Sequence, residues 1–477
     1  MMWYKTILFS LFYLSFFTVD AQKVTVSPDI LLRNNYSYDL IPNVNGHLIL
    51  YHDRGSSHVF EMYSDDLKYI QSFEPEFENK QIHTIGVTSM DTCFLFYYYY
   101  KDEGNFHVSV RKFDEHLNTL DSATLYVKTR EVNEGRPRII WSENKSKVLI
   151  FLPIEKGIHL LVYETQHFNL LQNQIVFLQE VDLKNEFKKI DISDQGDVVI
   201  LAIQEASWLS KSEDALVMGF LPISGDLLEQ RFYAKEDILD VLLKIDNRNK
   251  SLAIAGLLGE KDRNQAGAYY ALSLGIQKLE SGKTSLKSQP LPMDLVQENA
   301  TRKSKKTIFV PYLASKDMVL RYDGGIILFT EITKEFIRRG TGQSFPMQND
   351  YYSGHGYIDF YNEDVLVLAN HPNGDPHWQK ILYKKQFSQD DDGNYSSYFI
   401  FALPSSLKLM FNDEIKNYNT VSEYDIDPLG QILRKSLLST EYQDLKIRFR
   451  DAIQTSENTV YIPSEKNNKV NIVKIEY

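Results

Sequence analysis

Thr92-Cys93-Phe94-Leu95-Phe96-Tyr97-Tyr98-Tyr99-Tyr100 opens on an unbroken apolar run, and His107-Val108-Ser109-Val110-Arg111-Lys112-Phe113 follows with mixed character. A polar turn, Asp114-Glu115-His116-Leu117, leads into a third extended stretch over residues 121–127. Strand, turn, strand, polar turn, strand is the plan of a small antiparallel sheet. An uninterrupted apolar strand is one buried on both faces, whereas alternation marks a strand with one wet face. The module therefore needs apolar neighbours on two sides.

The same theme recurs along the chain. Comparable apolar strands begin near Gly46, Cys93, Lys147, Asp197, Ser251, Gly324, Leu407 and Asn458, at steps of 47, 54, 50, 54, 73, 83 and 51 residues. Mixed strands such as His58-Val59-Phe60-Glu61-Met62-Tyr63 and His159-Leu160-Leu161-Val162-Tyr163 follow them. Four-stranded propeller blades repeat at about 40–50 residues. The pattern predicts an all-β chain forming a single large β-propeller over residues 22–477, in preference to a string of β-sandwiches. Eight blades are favoured. Seven stay open, because the C-terminal strand over residues 469–475 can complete a blade with residues 24–32 and join the two ends of the ring.

Bulk properties agree with a folded protein. Of 477 residues, 43% are hydrophobic and 24% charged, ordinary values for a globular chain, and 30 Tyr and 27 Phe suit pleated, half-buried surfaces. The net charge of −12 repels phosphate backbones and argues against a nucleic-acid partner. Lys5 followed by the apolar run from Ile7 to Phe17 and by Val19-Asp20-Ala21 has the layout of a secretory signal, expected to occupy residues 1–21. That run is shorter than the roughly 20 residues a bilayer span needs, and no later segment is apolar enough. The mature chain is therefore expected to lack a transmembrane segment. The lone cysteine, Cys93, lies in an apolar strand and reads as core packing. An exported chain of this size without disulfides fits a bacterial envelope.

The two wide steps mark insertions at about residues 285–306 and 331–356, and long connections in compact folds are often functional. The first carries Arg302 and Lys303. The second is read as a short helix or loop over residues 331–343, including Arg338 and Arg339, followed by a Tyr- and Gly-rich stretch with Tyr351, Tyr352 and His355. These residues, with Trp378, are the candidate binding residues.

No catalytic signature stands out. His371 and His377 around Pro372-Asn373-Gly374-Asp375-Pro376 offer metal-ligand types, but the sequence is that of a tight turn, and no metal site is assigned. Gln389-Asp390-Asp391-Asp392-Gly393-Asn394 resembles part of a calcium loop without its downstream glutamate, so calcium is a possible cofactor and no other is expected. The Tyr97–Tyr100 run, directly after an apolar strand, reads as packing rather than as a sugar platform. Neither a Gly-x-Ser-x-Gly elbow nor a phosphate-binding loop occurs.

Residues 324–331, 357–360, 378–386, 392–398 and 407–413, in that order, resemble a group of uncharacterised exported, propeller-like proteins of Bacteroidota. The resemblance spans about a fifth of the chain and implies compartment and fold, not activity. Many surface proteins of that phylum end in a separate sorting module. This chain ends in a strand-like segment, which favours the periplasm or an outer-membrane complex over release. The functional expectation is a non-catalytic binding or scaffold protein of the cell envelope, contacting a protein or glycan through loops on one propeller face. The alternative is a carbohydrate-active enzyme with carboxylates near the central opening, and a third reading is a ligand sensor.

Overall fold

The computed structural model describes residues 22–477 apart from 33–34, 78, 80, 130–134, 206–212, 293, 295–308, 339–356, 415–419 and 439–443. The expected leader, residues 1–21, lies outside them. Eight sheets, antiparallel apart from one added strand, form the eight blades of a β-propeller. Blades 1 to 7 occupy residues 37–73, 82–129, 138–176, 187–233, 237–290, 313–389 and 398–436 in chain order. Blade 8 is built from both ends of the chain. Strands Thr459–Lys466 and Lys469–Glu476 pair with each other, and Lys23–Val26 adds to the latter with Val24 opposite Ile475. The predicted closure of the ring is therefore present, and it completes an eighth blade.

Each of the eight apolar runs quoted above is the second strand of a blade. The reason is two-sided burial. In Ser251–Glu260, Leu252, Ile254 and Leu258 pack on blade 4, while Ala253, Ala255 and Leu257 pack on blade 6. Eight hydrophobic clusters result, one between each pair of neighbouring blades, including one between blades 8 and 1 built on Leu48, Leu50, Tyr461 and Ile472. The tyrosine run obeys the same rule: Tyr97 faces blade 3, and Tyr98 and Tyr100 face blade 1.

Strand direction alternates within a blade, so first and third turns open on one face of the ring and all other connections on the other. On the first face no connection exceeds six residues. Hydrogen bonds tie several of these turns to the next blade. Asn45 N–H donates to Asp91 O (2.8 Å) and Lys145 Nζ to Ser89 O (2.8 Å). Asn144 N–H donates to Asp194 Oδ1 (3.0 Å), and Asp194 N–H to Asn247 Oδ1 (2.9 Å). On the opposite face lie the strand ends between which the chain runs further before the next strand: Gln204 and Ala215, Pro290 and Val310, Arg338 and Tyr357, Ser436 and Ile453.

Two details differ from the sequence reading. Residues 331–338, expected as helix or loop, continue strand Ile326–Arg338, which pairs along its length with Tyr357–Asn370. Glu331 is buried in that strand, and Phe336 and Tyr361 pack edge to face, so cross-strand contacts override the local polarity. Within the 276–312 region, Gly282–Ser285 leaves blade 5 and adds in parallel to the outer strand of blade 4, Leu228–Tyr233.

Candidate functional site

The first strands of the blades surround the ring axis, where a cavity of about 1190 Å³ is lined mainly by blades 3 to 8. Its charged groups include residues far apart in sequence: Glu143 and Asp191 from blades 3 and 4, Lys244 from blade 5, and Lys316 and Asp317 from blade 6. Asp191 accepts backbone N–H groups from Ile192 (2.9 Å) and Ile245 (3.0 Å), yet burial still pushes its carboxyl above the usual range. Burial raises Asp317 too, against the Tyr398 hydroxyl and Lys244. Crowding by protein depresses Lys244, opposed by the fields of Asp317, Asp191 and Glu143. The channel wall is thus a mixed-charge surface, in which Asp191 is held by two backbone amides.

Behind the wall, Lys384 Nζ lies 2.5 Å from Glu331 Oε1, and neither side chain is exposed. Lys384 also donates to Gln386 Oε1 (2.7 Å), and Asn362 Nδ2 donates to Glu331 Oε2 (2.8 Å). Burial holds the lysine's pKa down against the pull of Glu331. Gln386 Nε2 continues the network to Ser397 O (3.0 Å) and Asn412 O (2.8 Å), fixing blade 6 to blade 7.

On the long-loop face, strands Ile326–Arg338 and Tyr357–Asn370 form an arm. Thr333, Glu335, Phe360 and Asn362 line the channel. A separate recess of about 390 Å³ is lined by Tyr312, Phe336 and Tyr361, with the ion pair Lys334–Glu363 at 2.5 Å. Phe336 is 44% exposed and Ile337 71%, so apolar surface is on offer here.

Of the residues chosen from sequence, Arg302, Lys303, Arg339, Tyr351, Tyr352 and His355 lie outside the described residues. The backbone of Arg338 ends the arm opposite Tyr357. Trp378 sits opposite Ala369, roughly 40 Å of strand rise away towards the short-turn face. Its indole Nε1 donates to Pro428 O (3.0 Å), and its ring lies where a Cβ on Gly430 (φ +77°) would stand 2.6 Å away. The structure therefore does not bring Trp378 to Arg338; the tryptophan joins blade 6 to a turn of blade 7. His371 and His377 flank the expected turn with ring centroids 4.5 Å apart, and Arg321 Nη1 lies 2.8 Å from His377 Nδ1. In the calcium-like stretch, Asp391 Oδ1 accepts from Ser388 Oγ (2.8 Å) and Gly393 N–H (3.1 Å), and Asp390 Oδ1 from Ile358 N–H (2.8 Å). Among the described residues no group of three or more His, Cys, Asp or Glu is arranged to hold a metal.

Sequence reading missed the channel charges. Asp191 and Lys244 sit in Phe187–Ile192 and Leu242–Asp246, where single charges alternate with aliphatic residues just ahead of an apolar strand. That alternation, taken blade by blade, is the signal that would have found them.

No protein-family model matches this chain, and no curated protein matches it. Among solved structures, the Dos1 propeller is similar over 94% of each chain at 8% identity, with a TM-score of 0.46. The dihydro-heme d1 dehydrogenase NirN is similar over 93% of this chain and 71% of its own, at 11% identity and a TM-score of 0.42. A protein of unknown function from Bacteroides caccae is similar over 70% of this chain and 93% of its own, at 11% identity and a TM-score of 0.27. These likenesses are likenesses of fold.

Proposed function

We propose that this chain is a non-catalytic binding or scaffold propeller of the bacterial cell envelope, engaging a protein or glycan through its long-loop face. The carrying observation is the asymmetry of the ring: turns of at most six residues on one face, and on the other the strand ends that bound the longer stretches of sequence, with the exposed apolar end of the arm. Loops held on a rigid scaffold are the usual place for recognition. The secretory layout of residues 1–21 supports the envelope location. Asp191 gives both carboxyl oxygens to backbone amides, which supports a structural part for it in the channel wall. The test is cross-linking in the native envelope, comparing the wild type with a Phe336→Ser/Ile337→Ser variant of the long-loop face and a Tyr322→Ser variant of the short-turn face. Loss of a stoichiometric partner in the first variant alone is the expected result. Equal capture by all three sinks the reading.

A further inference from the structure

The charged groups that line the channel fall into two classes. Most are already answered by the protein or by water. Glu143 Oε2 accepts from Asn247 Nδ2 (2.9 Å), and Asp191 gives one oxygen to each of two backbone amides. Lys334 Nζ stands 2.5 Å from Glu363 Oε2, and Lys316 Nζ lies 3.9 Å from the buried Glu331. Arg450 Nη1 donates to Asp392 O (3.4 Å). Glu335 and Asp392 are exposed at the long-loop mouth, where water reaches them.

Lys244 and Asp317 form the second class. They sit on the first strands of neighbouring blades, Leu242–Asp246 and Leu313–Leu320, and both side chains are open to the channel. Among the described residues Lys244 bonds to nothing, and Asp317, Asp191 and Glu143 reach it as fields only. Asp317 has no cation in contact, and the buried Tyr398 hydroxyl beside it closes no hydrogen bond of ordinary length. Each charge therefore stands where protein crowds out bulk water, without the partner such a place demands.

Two unanswered charges of opposite sign, on consecutive strands of one cavity, complement a molecule that carries both signs. Its carboxylate answers Lys244 and its ammonium answers Asp317. A simple anion or cation answers one and leaves the other, and a neutral sugar answers neither charge. Phe360, Phe399 and Ile400 line the same cavity and are half-buried, which gives apolar surface to the rest of the ligand.

We propose that the channel binds a small zwitterion, an α-amino acid or short peptide with an apolar side chain, held by its carboxylate on Lys244 and its ammonium on Asp317. The site lies inside the ring, apart from the exposed Phe336 and Ile337 at the end of the arm. It stands or falls separately from recognition at the long-loop face.

Calorimetric titration of the full mature chain tests it, with leucine, phenylalanine and leucyl-leucine as probes. The controls are the amide and the N-acetyl derivative of each, and glucose. At least one of the three zwitterions is expected to bind with a Kd below about 1 mM, and removing either of its charges should weaken binding about ten-fold or more. Lys244→Met should bind the amide as well as its parent zwitterion, and Asp317→Asn should bind the N-acetyl derivative as well as its parent. The derivatives are compared on the wild type, so that result does not depend on either variant folding. No binding by any of the three zwitterions at about 10 mM overturns the proposal. So does glucose binding as tightly as the zwitterions, or a preference for both charged ends that survives Lys244→Met and Asp317→Asn.

Discussion

Lys384 and Glu331 hold opposite charges where neither side chain reaches water. Removing one partner of such a pair strands the other, at a cost of about 3–5 kcal/mol, whereas replacing both with apolar groups is often neutral. Lys384→Met should therefore lower unfolding stability by about that amount, and Lys384→Met/Glu331→Leu should regain most of it. Denaturant titration of the three proteins checks both. Asp317 makes a different expectation. Burial raises its folded pKa above the unfolded value of about 3.9, so the native state holds this proton more tightly than the unfolded chain. Its contribution to stability falls as pH rises through the window between the two values. Asp317→Asn should raise Tm at pH 7 and leave it nearly unchanged at pH 3, below both values. A Tm shift of equal size at the two pH values would contradict this account.

Second strands were legible because they are buried on both faces and so read as continuous apolar runs; all eight were found from that property. First strands were not, since one side faces the polar channel and charges such as Lys244 interrupt several of these short runs. Arg338 and its neighbours looked like a helix or loop because arm residues such as Lys334 and Glu335 are polar, and only cross-strand pairing makes them a strand. The turn-to-turn bonds of the short-turn face were equally hidden, because an Asn or Asp in a turn explains itself locally. Asp194 nevertheless both accepts from Asn144 and donates to Asn247. Asp194→Ala should cost about 1 kcal/mol, read by the same denaturant titration. Ser27 is a sharper case. Its buried Oγ accepts from Ile472 N–H at 2.8 Å, and Ser27→Ala leaves that amide without this partner, at about 1–3 kcal/mol.

At the scale of the ring, eight interfaces share the core, and none is stronger by kind than the next. The blade that contains both ends of the chain is still distinct, because strand Lys469–Glu476 depends on Lys23–Val26 for its outer partner. Deleting residues 22–31 should bare that edge, lower Tm and drive self-association detectable by light scattering. The candidate site belongs to this scale as well. Its channel charges come from at least four blades that no local motif connects, so the sequence contained the residues without displaying the site.

Val24 and Ile475 are neighbours in space and lie at opposite ends of the folded chain. Contacts of that separation are the slowest a polypeptide makes, because the whole intervening loop must be ordered or searched before they form. The order of events in time follows. Blades 1 to 7 can assemble one after another as the chain emerges, each on its predecessor, while the first strand waits beside them without its partner. Only strand Lys469–Glu476 ends that wait, so the interval between emergence of Lys23 and of Glu476 is the period in which this protein is most open to mispairing.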